Sequence, residues 1–174
     1  MEISKYIQHR DSFKTGDAVQ WKSYGLIGWL IRRFSKGNVN HTSIIVDVGI
    51  YDNLSSRKFL LEAQGHGVVL TSLSRRSEEH KGEAYVLPLK DEFDDKRINI
   101  GNWAFMQVGV KYDYDSLFNQ MAGRVLADAE KYFCSEFTYL AWKSADIPMN
   151  NPSGLAPRPC DIEDLGIFKK AVIL

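Results

Sequence analysis

Cys134 stands in Lys131-Tyr-Phe-Cys-Ser-Glu-Phe-Thr-Tyr139, in the first turn of a helix that the spacing predicts over 130–145. An ordinary thiol is only about 3% thiolate at neutral pH, and a helix N-terminus or a neighbouring imidazolium raises that fraction. Without such help a cysteine inside a helix is a small buried hydrophobe. What separates the two is a base. Of the four histidines, His9 lies in a polar N-terminal stretch and His80 in Arg75-Arg-Ser-Glu-Glu-His-Lys81, and both are expected on the surface. His66 sits in the glycine-flanked turn Gln64-Gly-His-Gly67. His41 opens the β-branched run His41-Thr-Ser-Ile-Ile-Val-Asp-Val48, where a strand would fix its ring. Glu62 ends the apolar run Phe59-Leu-Leu and would be costly to bury unpaired. Either strand alternation turns it outward, or it meets a cationic or hydrogen-bonding partner, and a histidine on the adjacent strand would serve. Thiol, imidazole and carboxylate together are the parts of nucleophilic acyl chemistry. His41, Glu62, His66 and Cys134 are also zinc-ligand types, but no His-x-x-x-His or Cys-x-x-Cys spacing supports a metal, and none is expected.

The elements that must position these groups are legible by pattern. Strands are predicted at Asp17–Lys22, His41–Val48, Lys58–Ala63, Gly67–Thr71 and Ala84–Leu89, the third and fourth joined as a hairpin and the fifth marked as an edge by Pro88. A short helix is predicted at Gly25–Phe34. Longer ones follow at Asp91–Gly109, with acids at its start, and over 130–145, with a short turn of helix at Asp161–Leu165. Asn150–Pro159 reads as a surface loop. Strands gathered before helices indicate an α+β layout in one domain.

Composition excludes several classes. With 22 Lys+Arg against 22 Asp+Glu, no basic surplus exists for nucleic acid. The basic steps Arg32-Arg33 and Arg75-Arg76 read as solvated faces. No run reaches the ~18 apolar residues of a membrane span, and the N-terminus lacks the apolar core of a secretory signal. A cytoplasmic location follows as the expectation. Cys134 and Cys160 are then free thiols, with Cys160 packed beside the last short helix.

In order along the chain, Gly16-Asp17, Asn40-His41-Thr-Ser-Ile-Ile-Val-Asp47, Leu60-Leu-Glu-Ala63 with Gly67-Val68, Gly109-Val-Lys-Tyr-Asp113 and Phe133-Cys-Ser-Glu-Phe137 resemble the NlpC-type papain-like cysteine hydrolases. In most of that superfamily the cysteine helix comes first. Here it comes last, as in the circularly permuted branch, the YiiX/YaeF-like amidases. The resemblance spans about residues 14–168. It implies a permuted papain-like fold, a small antiparallel sheet or open barrel packed against helices. It implies Cys134 as nucleophile, His41 as base, Glu62 as orienting group with His66 its competitor, and Tyr112 beside the substrate.

The mechanism implied is attack of the Cys134 thiolate on an amide, ester or thioester carbonyl, with the Cys134 N–H at its helix start as half of an oxyanion hole. Neither metal nor organic cofactor is called for. The substrate is a small molecule or peptide carrying an acyl bond, most naturally an amide. Two other readings stand beside this one. The first is a lipid-directed acyltransferase or phospholipase of the lecithin:retinol acyltransferase-like type, with peripheral membrane contact through Leu26–Phe34. The second is a non-catalytic ligand-binding relative. Oligomeric state is not legible.

Overall fold

The computed structural model describes residues 3–24, 38–49, 56–64, 67–109 and 126–174, the side chains of 3–4 and 126–133 excepted. The predicted helix at 25–34, His66 and Tyr112 lie outside them.

Short β-branched runs and apolar repeats become, in order, α1 (Ile3–His9), β1 (Ala18–Ser23), β2 (His41–Asp47), β3 (Lys58–Gln64), β4 (Gly67–Ser72), α2 (Leu73–Glu79) and β5 (Gly82–Leu87). A 3₁₀ turn (Asp91–Lys96) leads into α3 (Arg97–Met106). Then come α4 (Leu126–Ser144), a second 3₁₀ turn (Pro159–Leu165) and β6 (Val172–Ile173). The strands form one open, antiparallel sheet in the order β4-β3-β2-β1-β5-β6. The architecture is α+β. Pro88 does not mark an edge: β5 pairs with β1 on one side and β6 on the other, and the proline falls just beyond the strand, where its missing N–H costs the ladder nothing. The predicted helix at 91–109 divides into the acid-rich 3₁₀ turn and α3.

Side chains of a strand alternate between faces, and here both faces are covered. Ala18, Ile44, Val46, Leu61 and Ala63 lie under Ile100 and Ala104 of α3 and Phe137, Ala141 and Trp142 of α4. Val19, Trp21, Ile45, Leu60 and Val86 pack with Tyr6 of α1, Phe13 and Leu73 of α2. Double burial is why β2 reads as an unbroken apolar run instead of an alternating one.

Gly16-Asp17 fastens the entry to β1. Gly16 holds φ +92°, a left-handed conformation in which a Cβ is strained. Its N–H donates to Ile45 O at 3.0 Å, and Ile45 N–H returns a bond to Asp17 O at 2.8 Å. Its carbonyl receives the Trp142 indole N–H of α4 at 2.9 Å. The buried Asp17 carboxylate accepts from Lys14 N, Leu89 N and Arg97 Nη1 at 2.9, 2.9 and 2.8 Å. Burial still pushes this carboxyl above its usual range, against the pull of those donors. One dipeptide thus ties two strands to both long helices.

Candidate active site

His41 is the first residue of β2 and pairs with Trp21 of β1. The β2–β3 register, Ile44 opposite Leu61, continues by one step to set Ser43 across from Glu62. By alternation Ser43 and Glu62 belong to the face of Ile45 and Leu60, away from α4. His41, at the strand's end, bridges the layers. Its Nε2 lies 2.9 Å from Glu62 Oε2, and its ring is also in side-chain hydrogen-bond contact with Cys134 of α4. The three groups singled out in the sequence are therefore brought together, with the imidazole between carboxylate and thiol. Glu62 and Cys134 have no exposed surface, whereas the His41 side chain keeps 18%. Approach to the pair is over the ring.

Glu62 does not point outward. Its Oε2 also receives the Ser43 hydroxyl at 3.2 Å and lies 3.5 Å from Arg76 Nε of α2. Ser43 Oγ in turn accepts the Trp21 indole N–H at 2.8 Å. A chain of donors, Trp21 to Ser43 to Glu62, thus reaches the same carboxylate oxygen that His41 meets. Burial alone would raise the Glu62 carboxyl, but the bond and charge of His41, the Arg76 charge and the Ser43 hydroxyl together hold it below its ordinary value. For His41, burial favours the neutral ring. The charge and hydrogen bond of the Cys134 sulfur, then those of Glu62, outweigh it and push the ring up to about 10. At neutral pH the ring therefore favours its charged form.

Two expectations are corrected at Cys134 and around it. Helix α4 begins at Leu126, so Cys134 is eight residues inside, in the third turn. There its N–H is committed to the carbonyl four residues back, and the helix-terminus field has faded. Its backbone N–H is not available as an oxyanion donor, and the thiol owes its setting to His41 instead. The step Arg75-Arg76 is solvated at one residue only. Arg75 is exposed and pairs with Glu79, while Arg76 turns in over the Trp21 ring, 5.0 Å from guanidinium carbon to ring centre.

His80 is 5% exposed, not a surface residue. It packs edge-on against Trp21 at 4.9 Å, and burial and the Arg76 charge press its pKa down. His9 is exposed as expected. Cys160 is a free, half-buried thiol in the second 3₁₀ turn, raised by burial and by the Asp161 carboxylate. Of the supporting residues, Ser43 had a signal in the sequence, since it shares a strand face with His41 two positions on. Trp21 and Arg76 had none, because their approach depends on β1 lying beside β2 in the sheet and on how α2 packs against its face.

No family model matches the chain, and no curated protein does. The structure is that of an open-sheet α+β domain holding a Cys-His-Glu cluster, and solved structures share its fold. One is the crystal structure described as metalloprotein YiiX from Escherichia coli O157:H7, similar with a TM-score of 0.63 and 16% identity over 92% of this chain and 96% of that one. At that identity the likeness is one of fold. Among the described residues, no helix is long and apolar enough to cross a membrane.

Proposed function

We propose that the chain is a cysteine hydrolase that cleaves an acyl bond, in the first place an amide, of a small-molecule or peptide substrate. Cys134 is the nucleophile, His41 the base and Glu62 the orienting group. The observation that carries this reading is the His41 ring held between Glu62 Oε2 at 2.9 Å and the Cys134 thiol. The fold likeness to YiiX and the chain order, base and carboxylate ahead of the cysteine, support a permuted papain-like domain. Tyr112 enters through the resemblance as a substrate-side residue.

The steps follow from the geometry. Nε2 is committed to the carboxylate, so Nδ1 holds the proton taken from Sγ, and the resting imidazolium is stabilised by Glu62. The thiolate adds to the carbonyl carbon, the C–N bond breaks, and the imidazolium gives its proton to the leaving amine. Water, deprotonated by the neutral ring, then attacks the thioester carbon, releasing a carboxylic acid and restoring the thiol.

YiiX is described as a metalloprotein. Among the described residues no group of three or more His, Cys, Asp or Glu could hold an ion. His41 Nε2 is already taken by Glu62 Oε2 at 2.9 Å. No step is routed through a metal.

The test is iodoacetamide labelling near neutral pH, followed by mass spectrometry. Cys134 in a Cys160→Ser background should react at least tenfold faster than in the same protein carrying His41→Ala, and tenfold faster than Cys160 of the natural chain, with Glu62→Gln between. Equal rates with and without His41 would overturn the assignment. A confirmed rate advantage directs the search to amide and ester substrates.

A further inference from the structure

Glu62 is a carboxylate with no exposed surface, and everything that compensates its charge is gathered on one oxygen. His41 Nε2, Ser43 Oγ and Arg76 Nε approach Oε2 at 2.9, 3.2 and 3.5 Å. Oε1 is buried and meets no hydrogen-bond partner among the described residues. A buried carboxylate this sparsely bonded tends to take up a proton. In the proposed cycle the nearest proton is the one on His41, which is needed for the leaving group. Each time the ring becomes neutral, it keeps its Nε2–H bond to Glu62 but no longer offsets the charge.

The charged and titratable groups facing this carboxylate can be named. From β2 come His41 and the neutral Ser43, from α2 Arg76, and β4 presents Val69 across the ladder. Cys134 of α4 reaches Glu62 only through His41. His80 lies by Trp21, near Arg76, and burial and the Arg76 charge favour its neutral form. Among the described residues, Arg76 is therefore the one permanent cation beside Glu62. It acts through charge: Nε lies within ion-pair range of Oε2 but makes no hydrogen bond. The guanidinium is held by stacking over Trp21, and its side chain keeps 29% exposure, so its own desolvation is partial. Trp21 is the same residue that braces Ser43 against Glu62.

We propose that Arg76 is a positioning residue for the cysteine site: it keeps Glu62 ionised throughout the cycle, so that the mobile proton stays on His41. The inference rests on the reading of Cys134, His41 and Glu62 as a hydrolytic set.

The experiment is the pH profile of Cys134 alkylation from pH 4 to 9 in the Cys160→Ser protein, with Arg76→Met, Arg76→Lys and His41→Ala alongside. Methionine keeps the apolar stem over Trp21 without charge, and lysine restores the charge. An opposite charge at this distance holds a carboxylate down by about one to three units. The pH of half-maximal labelling should therefore rise by about one to three units in Arg76→Met and return most of the way in Arg76→Lys. In a Glu62→Gln background, Arg76→Met should move the profile no further. Should Arg76→Met fail to fold, as read by circular dichroism, Arg76→Gln takes its place.

A profile unchanged by removing the charge overturns the proposal. So does an equal shift in the methionine and lysine variants, which would tie the effect to shape. A shift that persists in the Glu62→Gln background overturns it too. These results leave the hydrolase reading intact, whereas wild type labelled no faster than His41→Ala removes both.

Discussion

Replacing Ser43 by alanine removes one hydroxyl from the buried part of the site. Trp21, Ser43 and Glu62 are all fully buried. The hydroxyl accepts the Trp21 indole N–H at 2.8 Å and donates to Glu62 Oε2 at 3.2 Å, so two interactions are lost together. A hydrogen bond to a charged group contributes about 1.5–3 kcal/mol, and a buried donor left without a partner costs about 1–3 kcal/mol. Alanine fills nearly the same volume, so no cavity cost is added. The two parts are coupled through one atom, and the expected loss at pH 7 is about 3–5 kcal/mol.

Urea unfolding followed by tryptophan fluorescence or circular dichroism measures it, and the urea dependence should keep its slope while the midpoint falls. The Trp21→Phe background separates the parts. With no indole N–H to strand, Ser43→Ala should there cost only the Glu62 bond, about 1.5–3 kcal/mol. A loss below about 1 kcal/mol, or the same loss in both backgrounds, would refute the donor chain as the structure draws it. Glu62 is ionised in the folded chain and its carboxyl lies below the ordinary value. Its share of stability is therefore present above about pH 4.5 and is lost as pH falls through the lowered folded pKa.

Other expectations follow from neighbouring contacts. The His41 ring, pushed up to about 10 against burial by Cys134 and Glu62, should remain protonated through pH 8 in nitrogen-detected NMR, and Cys134→Ala should lower its midpoint. Because this folded pKa is raised, its stabilising contribution is fully present below about pH 6.5 and is lost as pH rises through about 10. A midpoint near the ordinary histidine value would dissolve the ion-pair picture. Arg97→Met strands the buried Asp17 carboxylate, paired at 2.8 Å, and should cost about 3–5 kcal/mol in urea unfolding; a loss under about 1 kcal/mol would show the pair is not compensating that charge. Gly16→Ala sets a Cβ about 3.0 Å from Ile100 Cδ1 at φ +92° and should lower the melting midpoint by several degrees, roughly 1–2 kcal/mol, an unchanged midpoint counting against the bracket at the start of β1.

How much of this was written in the sequence depends on the range over which each feature is set. The strands that carry His41 and Glu62 are local, one a β-branched and the other an apolar run, read from composition and bounding turns. The helix carrying Cys134 was legible too, because Phe137 and Ala141 stand at helical spacing and bury together. Its start was not. The apolar stripe set it at Glu130, where the helix runs from Leu126. That one turn moves the Cys134 N–H from a free helix end to an interior rung.

The candidate partners could be named from residue type, since a carboxylate beside an apolar run must be compensated somewhere. Which groups compensate it was decided by tertiary structure. Arg75 and Arg76 are equivalent by sequence, and only the packing of α2 over Trp21 sends one into solvent and the other toward Glu62. His80, polar by its neighbours, is buried because the same packing closes over it. The sequence by itself determined the first five strands, the helices α3 and α4 and the kinds of group available for chemistry, because period and side-chain type act within a few residues, whereas α1, α2 and β6 were not read from it. Distances and charge states were left to the fold, because they depend on contacts between β1, β2, β3, α2 and α4 that no local pattern encodes.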